Sequence, residues 1–141
     1  LGTTVATVSD APRSAKSALA AHSVAVSIGA IKRPLAADEL LPERALAGDS
    51  LARQTLIETY YLPLAKSSPE LLGTLRAYLE CGRSLETTAK SLFVHANTVR
   101  YRLKRIYEEI SADPTDARTG FVLQVALILG AINDNEFGLK R

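Results

Sequence analysis

Methionine and tryptophan are absent from the 141 residues, cysteine occurs once and histidine twice. A single cysteine, Cys81, permits no internal disulfide and fits a reducing compartment. Its only possible imidazole partners, His22 and His95, are far off in sequence. No metal-ligand spacing results, and Cys81 reads as a small apolar residue at a helix end. With no methionine the sequence does not begin at a start codon, so a fragment or processed product is expected. No charged, then apolar, then small-residue leader opens it, and no signal peptide is expected. The longest apolar run, "FVLQVALILGAI", has 12 residues and contains Gln124 and Gly130. It is too short to cross a bilayer and reads as a buried helix. Also missing are a glycine-rich phosphate loop, a nucleophile elbow and a supported Ser/His/Asp set. The acid pairs Asp38-Glu39 and Glu108-Glu109 are adjacent, and neighbours on a helix diverge by about 100°. No catalytic residue, cofactor or metal is therefore expected.

Apolar residues make up 47% of the chain, enough for a real core and too many for disorder. Seventeen Lys and Arg against 15 Asp and Glu leave a net charge of +2. That balance excludes a generally cationic protein, so any nucleic-acid signal must be local. It is local: "FVHANTVRYRLKRI", residues 93–106, holds four Lys and Arg and no acid.

The first third mixes periods. "TTVATV" and "SVAVSI" are short, β-branched and roughly alternating, which predicts strands. Between them "APRSAKSALAAH" is Ala-rich with Pro12 near its start, a helix signal. Strand, helix, strand suggests the edge of an α/β or α+β unit, too small as a complete domain to bury both faces of a sheet. From Leu35 the strand signals stop. "LAADELLPERALAGD" has helical spacing cut by Pro42 and closed by Gly48. Asp49 is the expected cap of "SLARQTLIETYYL", which Pro63 is expected to end. The polar "KSSPE" places a boundary near residue 67.

Four helices are then expected in quick succession. "PELLGTLRAYLECG" carries Leu71, Leu72, Leu75 and Leu79 on one side and stops at Gly82. "SLETTAKSLF" starts from Ser84 as N-cap and lasts barely two turns. "ANTVRYRLKRIYEEI" follows after a tight turn, and "DARTGFVLQVALILGAI", capped by Asp116, comes last. The expected architecture is mainly α: a helix-turn-helix domain of about four helices, preceded by a small α/β remnant and linking helices.

On a helical wheel Val99, Leu103, Ile106 and Ile110 form one stripe, the face turned to a core. Asn97, Tyr101, Lys104 and Glu108 point the opposite way. Thr98, Arg100 and Arg105 lie on the flanks, and Arg102 is closest to the stripe. Cations toward an N-terminal end oppose the helix dipole, at about 0.3–1 kcal/mol per charge. A duplex compensates with phosphates, and it offers base edges to Asn and Arg in the major groove. A short helix, a tight turn and a longer polar-fronted helix together make a helix-turn-helix. Ala89 lets the two helices cross closely, and Val99 plugs the angle between them. The glycine often found in such a turn is absent, with Phe93 or Val94 in its place.

"ELLGTLRAYLECGRSLETTAKSLFVHANTVRYRLKRI" followed by "FVLQVALIL" resembles the C-terminal helix-turn-helix of the PucR/CdaR group of bacterial transcriptional regulators. The similarity covers roughly residues 70–130, and Phe93 in the turn fits it. More distantly the core is similar to the Fis-type helix-turn-helix, which implies a dimer reading two half-sites. Upstream, residues 1–66 resemble the tail of a degenerate GGDEF-like middle domain with linking helices, leaving 67–141 as the DNA-binding domain. The resemblance implies a cytoplasmic, sequence-specific transcription regulator that binds double-stranded DNA as a homodimer. It implies no membrane partner, and an effector acting only through a sensory domain absent from this chain. Carried over, the recognition helix is about Asn97 to Ile110. Asn97, Thr98 and Tyr101 are expected to face bases, and Arg100, Lys104 and Arg105 to touch phosphates or a guanine. His95 is expected to cap the helix or meet a phosphate rather than bind metal. Thr87 is expected to donate to phosphate, and Thr88 either to do the same or to point inward. The alternative is a dimerisation or sensor-coupling fragment with little DNA affinity of its own, motivated by the apolar face of residues 121–132.

Overall fold

A computed structural model describes residues 1–29 and 34–136. Residues 30–33, and the last five residues of the expected 67–141 domain, lie outside it. The chain divides into two compact units, Leu1–Thr55 and Leu56–Arg141. The expected boundary near residue 67 falls inside the second unit, at the short break at Ser68 between two helices.

The first unit contains α1 (Ala11–Ser27), a 3-10 turn (Ala37–Leu40), α2 (Leu41–Leu46) and the start of α3 (Ser50–Leu56). No strand occurs among the described residues, which corrects the expected strand–helix–strand remnant. "SVAVSI" is instead the end of α1 and the residue after it. Ser17, Ala21 and Val24 are buried at i, i+4 and i+7, a helical stripe, whereas Val26 and Ile28 stay 62% and 54% exposed. A strand here would have no neighbour for its backbone groups, while a helix satisfies its own. The β-branched residues cost it only a few tenths of a kcal/mol each. "TTVATV" forms no ladder either. The Thr3 backbone N–H and hydroxyl both donate to the buried Ser17 hydroxyl, at 2.9 and 2.8 Å, and Val8–Asp10 is a 3-10 turn.

Pro42 lies in the first turn of α2, where its missing N–H costs nothing, so the chain bends just ahead of it. The side chain of Arg44, 1% exposed, pairs with Asp49 at 2.9 Å and donates to the Ala37 carbonyl at 3.0 Å. A buried guanidinium persists only when paired in this way. Asp49 also caps α3, accepting from the Leu51 and Ala52 backbone N–H groups.

The second unit begins within that helix. Pro63 does not end it: a π-helical turn (Ile57–Tyr61) passes directly into α4 (Leu62–Ser67), with Pro63 in the first turn of α4. The Leu62 N–H reaches back five residues to the Ile57 carbonyl. Such a widened turn takes up the proline without breaking the helix. Four helices follow: α5 (Pro69–Glu80), α6 (Leu85–Ser91), α7 (Ala96–Ile110) and α8 (Ala117–Glu136). One core joins Tyr61 and Leu64 to Leu75, Tyr78 and Leu79 of α5, Ala89 of α6, the α7 stripe, and Leu123 and Leu127 of α8. Tyr61 donates to Asp134, fastening the π-helical turn to α8. No helix among the described residues is long and apolar enough to cross a membrane.

Candidate nucleic-acid interface

The α6–α7 pair is set by local sequence at each end. Ser84 caps α6, its hydroxyl oxygen accepting from the Thr87 N–H at 3.3 Å. Before it, Gly82 and Arg83 both adopt left-handed φ, +64° and +62°, turning the chain out of α5. Ala89 and Val99 are both buried, one on each helix, as a close crossing requires. Val94 N–H bonds to the Ala89 carbonyl at 3.0 Å, closing α6 over Phe93, whose φ is +55°. The left-handed position that glycine commonly fills is thus held by phenylalanine. His95 caps α7: its Nδ1 accepts from the Asn97 N–H at 3.1 Å, leaving Nε2 as the ring atom able to meet an anion.

Along α7 the predicted stripe is buried in full, with Val99, Leu103, Ile106 and Ile110 in the core. That ridge fixes the opposite side outward. Asn97, Arg100, Tyr101, Lys104 and Arg105 are exposed, and Thr98 is half-buried on the flank. The Asn97 side-chain oxygen accepts from Arg100 at 2.7 Å, which aligns an amide and a guanidinium side by side. Arg105 lies 3.4 Å from the Tyr101 hydroxyl and 3.5 Å from Glu108. The Tyr101 hydroxyl is the first cause that holds the Arg105 guanidinium above its usual range.

The four cations of this helix are not equivalent. Arg102 turns back onto α5, bonding Glu70 and the Thr74 hydroxyl, the latter at 3.2 Å. It locks the helix in place and is not available to a ligand. Helical spacing alone sets Arg102 nearest the stripe, but its partners, 28 and 32 residues upstream, carry no local signal. Glu109 is likewise held at the other end, accepting from Ser67 and Ser68. Among the described residues Arg100 and Lys104 have no carboxylate partner, so their charge faces solvent unneutralised.

On α6, Thr87 is exposed and shares the Ser84 hydroxyl. Thr88 is fully buried and donates to the Ser84 carbonyl at 2.7 Å, which decides for the inward orientation. The structure thus gathers His95, Asn97, Arg100, Tyr101, Lys104 and Arg105 on α7 and its cap, with Thr87 at the first turn of the helix before it.

Comparison with known proteins follows the same helices. Residues 71–129 match the PucR C-terminal helix-turn-helix domain. An uncharacterized protein of Mycobacterium tuberculosis is 45% identical over 133 residues, covering 94% of this chain and 32% of that protein. The proline-responsive transcriptional activator PutR of Bacillus subtilis is 44% identical over 64 residues, covering 45% of this chain and 16% of its own. A regulator of polyketide synthase expression from Bifidobacterium adolescentis, solved as a crystal structure, superposes with a TM-score of 0.80 at 43% identity. It covers 91% of this chain and 51% of that one. The chain spans about a third of the length of the mycobacterial relative it matches. Residues 71–129, with the capped α6, the left-handed turn and the cation-fronted α7, belong to the PucR C-terminal helix-turn-helix family.

Proposed function

We propose that the chain is the DNA-binding portion of a bacterial transcription regulator, with α7 as the recognition helix in the major groove of duplex DNA. The observation that carries this reading is the exposed front of α7. A fully buried ridge holds Asn97, Arg100, Tyr101 and Lys104 outward, and neither Arg100 nor Lys104 meets a carboxylate among the described residues. In this reading Asn97, Thr98 and Tyr101 face base edges. Arg100, Lys104 and Arg105 meet phosphates or a guanine, His95 presents Nε2 to a phosphate, and Thr87 donates from α6. Similarity to named regulators supports the same role. The wider assignment is of a piece with it: residues 67–141 as the DNA-binding domain, and 1–66 as the tail of a GGDEF-like middle domain with linking helices. Effector sensing lies in a further domain, and the work is done in the cytoplasm.

Binding as a homodimer, in the manner of Fis-type helix-turn-helix proteins, is supported by α8, where Phe121, Ile128 and Ile132 are large, apolar and exposed. The same residues favour the second reading, a dimerisation or sensor-coupling piece with weak DNA affinity of its own. One experiment separates the two. Duplexes selected from a random pool are titrated with the chain at several salt concentrations, and sedimentation reports its mass. Sequence-specific binding is expected, with paired half-sites. Arg100→Ala or Lys104→Ala should weaken it and flatten the salt slope by about one. Affinity that ignores salt would falsify the DNA-binding reading, and a strictly monomeric chain at high concentration removes the dimer.

A further inference from the structure

Phe93 breaks two rules at once. Its φ of +55° lies in the region where a side chain is strained and glycine is at ease. Its ring is 95% exposed, so burial returns nothing for that strain. Among the described residues two other non-glycine residues share the left-handed conformation, and both are polar. Arg83 donates to the Thr115 carbonyl at 3.3 Å, and Ser111 follows the end of α7. Phe93 alone among them is a large apolar group held in water. Neither backbone nor core is served by its ring, and such a local conflict marks a position kept for another purpose.

The surroundings indicate what the ring meets. Leu92 and Val94 are half-buried, and Val94 packs against the core, so neither sequence neighbour sets a fully exposed apolar side chain beside Phe93. The exposed neighbours are Lys90, Ser91, His95 and Asn97. An isolated apolar group among polar side chains does not suit a protein–protein patch, which needs contiguous apolar area. It does suit a duplex, whose major groove is polar except for the C5-methyl group of thymine.

We propose that Phe93 is a specificity-determining contact, its ring packing on a thymine methyl beside the first turn of α7. This rests on the reading of α7 as a recognition helix. The contact neutralises no phosphate, so its loss lowers affinity without changing the salt slope, unlike loss of Arg100 or Lys104.

The test uses the whole chain and a duplex recovered by selection. Phe93→Gly and Phe93→Asn both tolerate positive φ, so each should unfold at or above the wild-type temperature. Each should bind roughly tenfold more weakly, the scale of one discriminating base contact, at an unchanged salt slope. Phe93→Tyr, which keeps the ring, should bind like wild type. Replacing thymines by deoxyuridine should weaken the wild type and leave Phe93→Asn indifferent. Wild-type affinity in Phe93→Asn, while Arg100→Ala still loses binding, overturns the proposal and turns attention to a protein partner for the ring. Equal sensitivity of wild type and Phe93→Asn to deoxyuridine overturns it too. Lowered thermal stability in both variants assigns the ring a structural role instead. If the wild type binds no duplex at all, the recognition-helix reading falls with it, an outcome distinct from the other three.

Discussion

Helix α7 buries four residues along one stripe and exposes a front of amides, phenols and cations; α8, five residues longer, buries Gly120, Leu123, Val125, Ala126, Leu127 and Gly130 on a wider surface. Both pack into the same core, yet they divide the work differently. In α7 the buried stripe is narrow, and Asn97, Arg100, Tyr101, Lys104 and Arg105 stay exposed on the rest of its surface. In α8 the sequence is chosen for packing, down to glycines where a neighbour comes close. A helix with a narrow stripe can change its front without losing its fold, and a helix with a broad one cannot.

The largest expected effect is therefore on α8. Leu123 is fully buried in the core, and Leu123→Ala should cost about 2–5 kcal/mol, read from denaturant unfolding. A loss below about 1 kcal/mol would mean that α8 is not the packing helix of the pair. Gly130→Ala comes next. A Cβ there would lie 2.2 Å from Cγ of Tyr61, an aromatic ring that is itself buried. The expected destabilisation is about 1–3 kcal/mol, as for overpacking elsewhere. Gly120→Ala is the internal control. Its Cβ would first meet Cδ of Arg83 at 3.2 Å, in a flexible side chain that can move away.

The α7 stripe was legible from spacing because a 3.6-residue period has one dominant cause, burial along a helix face. The caps Ser84, Asp49 and Asp116 were legible for a similar reason: each acts within three residues of itself. What was not legible depended on partners elsewhere. "SVAVSI" has the period of a strand, but a strand needs a neighbour, and none is present among the described residues. Pro63 signals a helix end, yet the π-helical turn ahead of it, stabilised by packing of Tyr61 and Ile57, carries the helix through. The spacing sets Arg102 closest to the stripe, but its partners Glu70 and Thr74 come from another helix and carry no local signal. Glycine's absence from the turn was visible; that Phe93 would take up the left-handed backbone at the surface was not.

Tyr61 sharpens the comparison through pH. Burial first, and then the hydrogen bond and negative charge of Asp134, push its phenol up to about 12. The unfolded chain releases this proton near pH 10, while the folded chain keeps it. The contribution is thus fully present below pH 10 and is lost as pH rises toward 12, an amount on the order of 2 kcal/mol. Tyr61→Phe should flatten the fall in stability over that window. Some slope should remain, because burial raises the Tyr78 phenol as well. An unchanged slope in Tyr61→Phe would break the link between α8 and the π-helical turn.

The smallest effect on stability is expected on the front of α7. Lys104 is exposed, has no ion pair among the described residues and follows two turns that already carry Arg100 and Arg102. Replacing it with alanine removes an unfavourable charge and substitutes the best helix former, against the loss of a little packed methylene. These terms nearly cancel. Lys104→Ala, like Arg100→Ala, should therefore stay within about 0.5 kcal/mol of wild type in thermal or denaturant unfolding. The same chains should lose affinity for the selected duplex. Should either substitution unfold the protein, the front of α7 would be part of the fold, and the division of labour between α7 and α8 would not hold. If stability is kept and affinity drops, Arg100 and Lys104 are present for the ligand, since the fold does not depend on them.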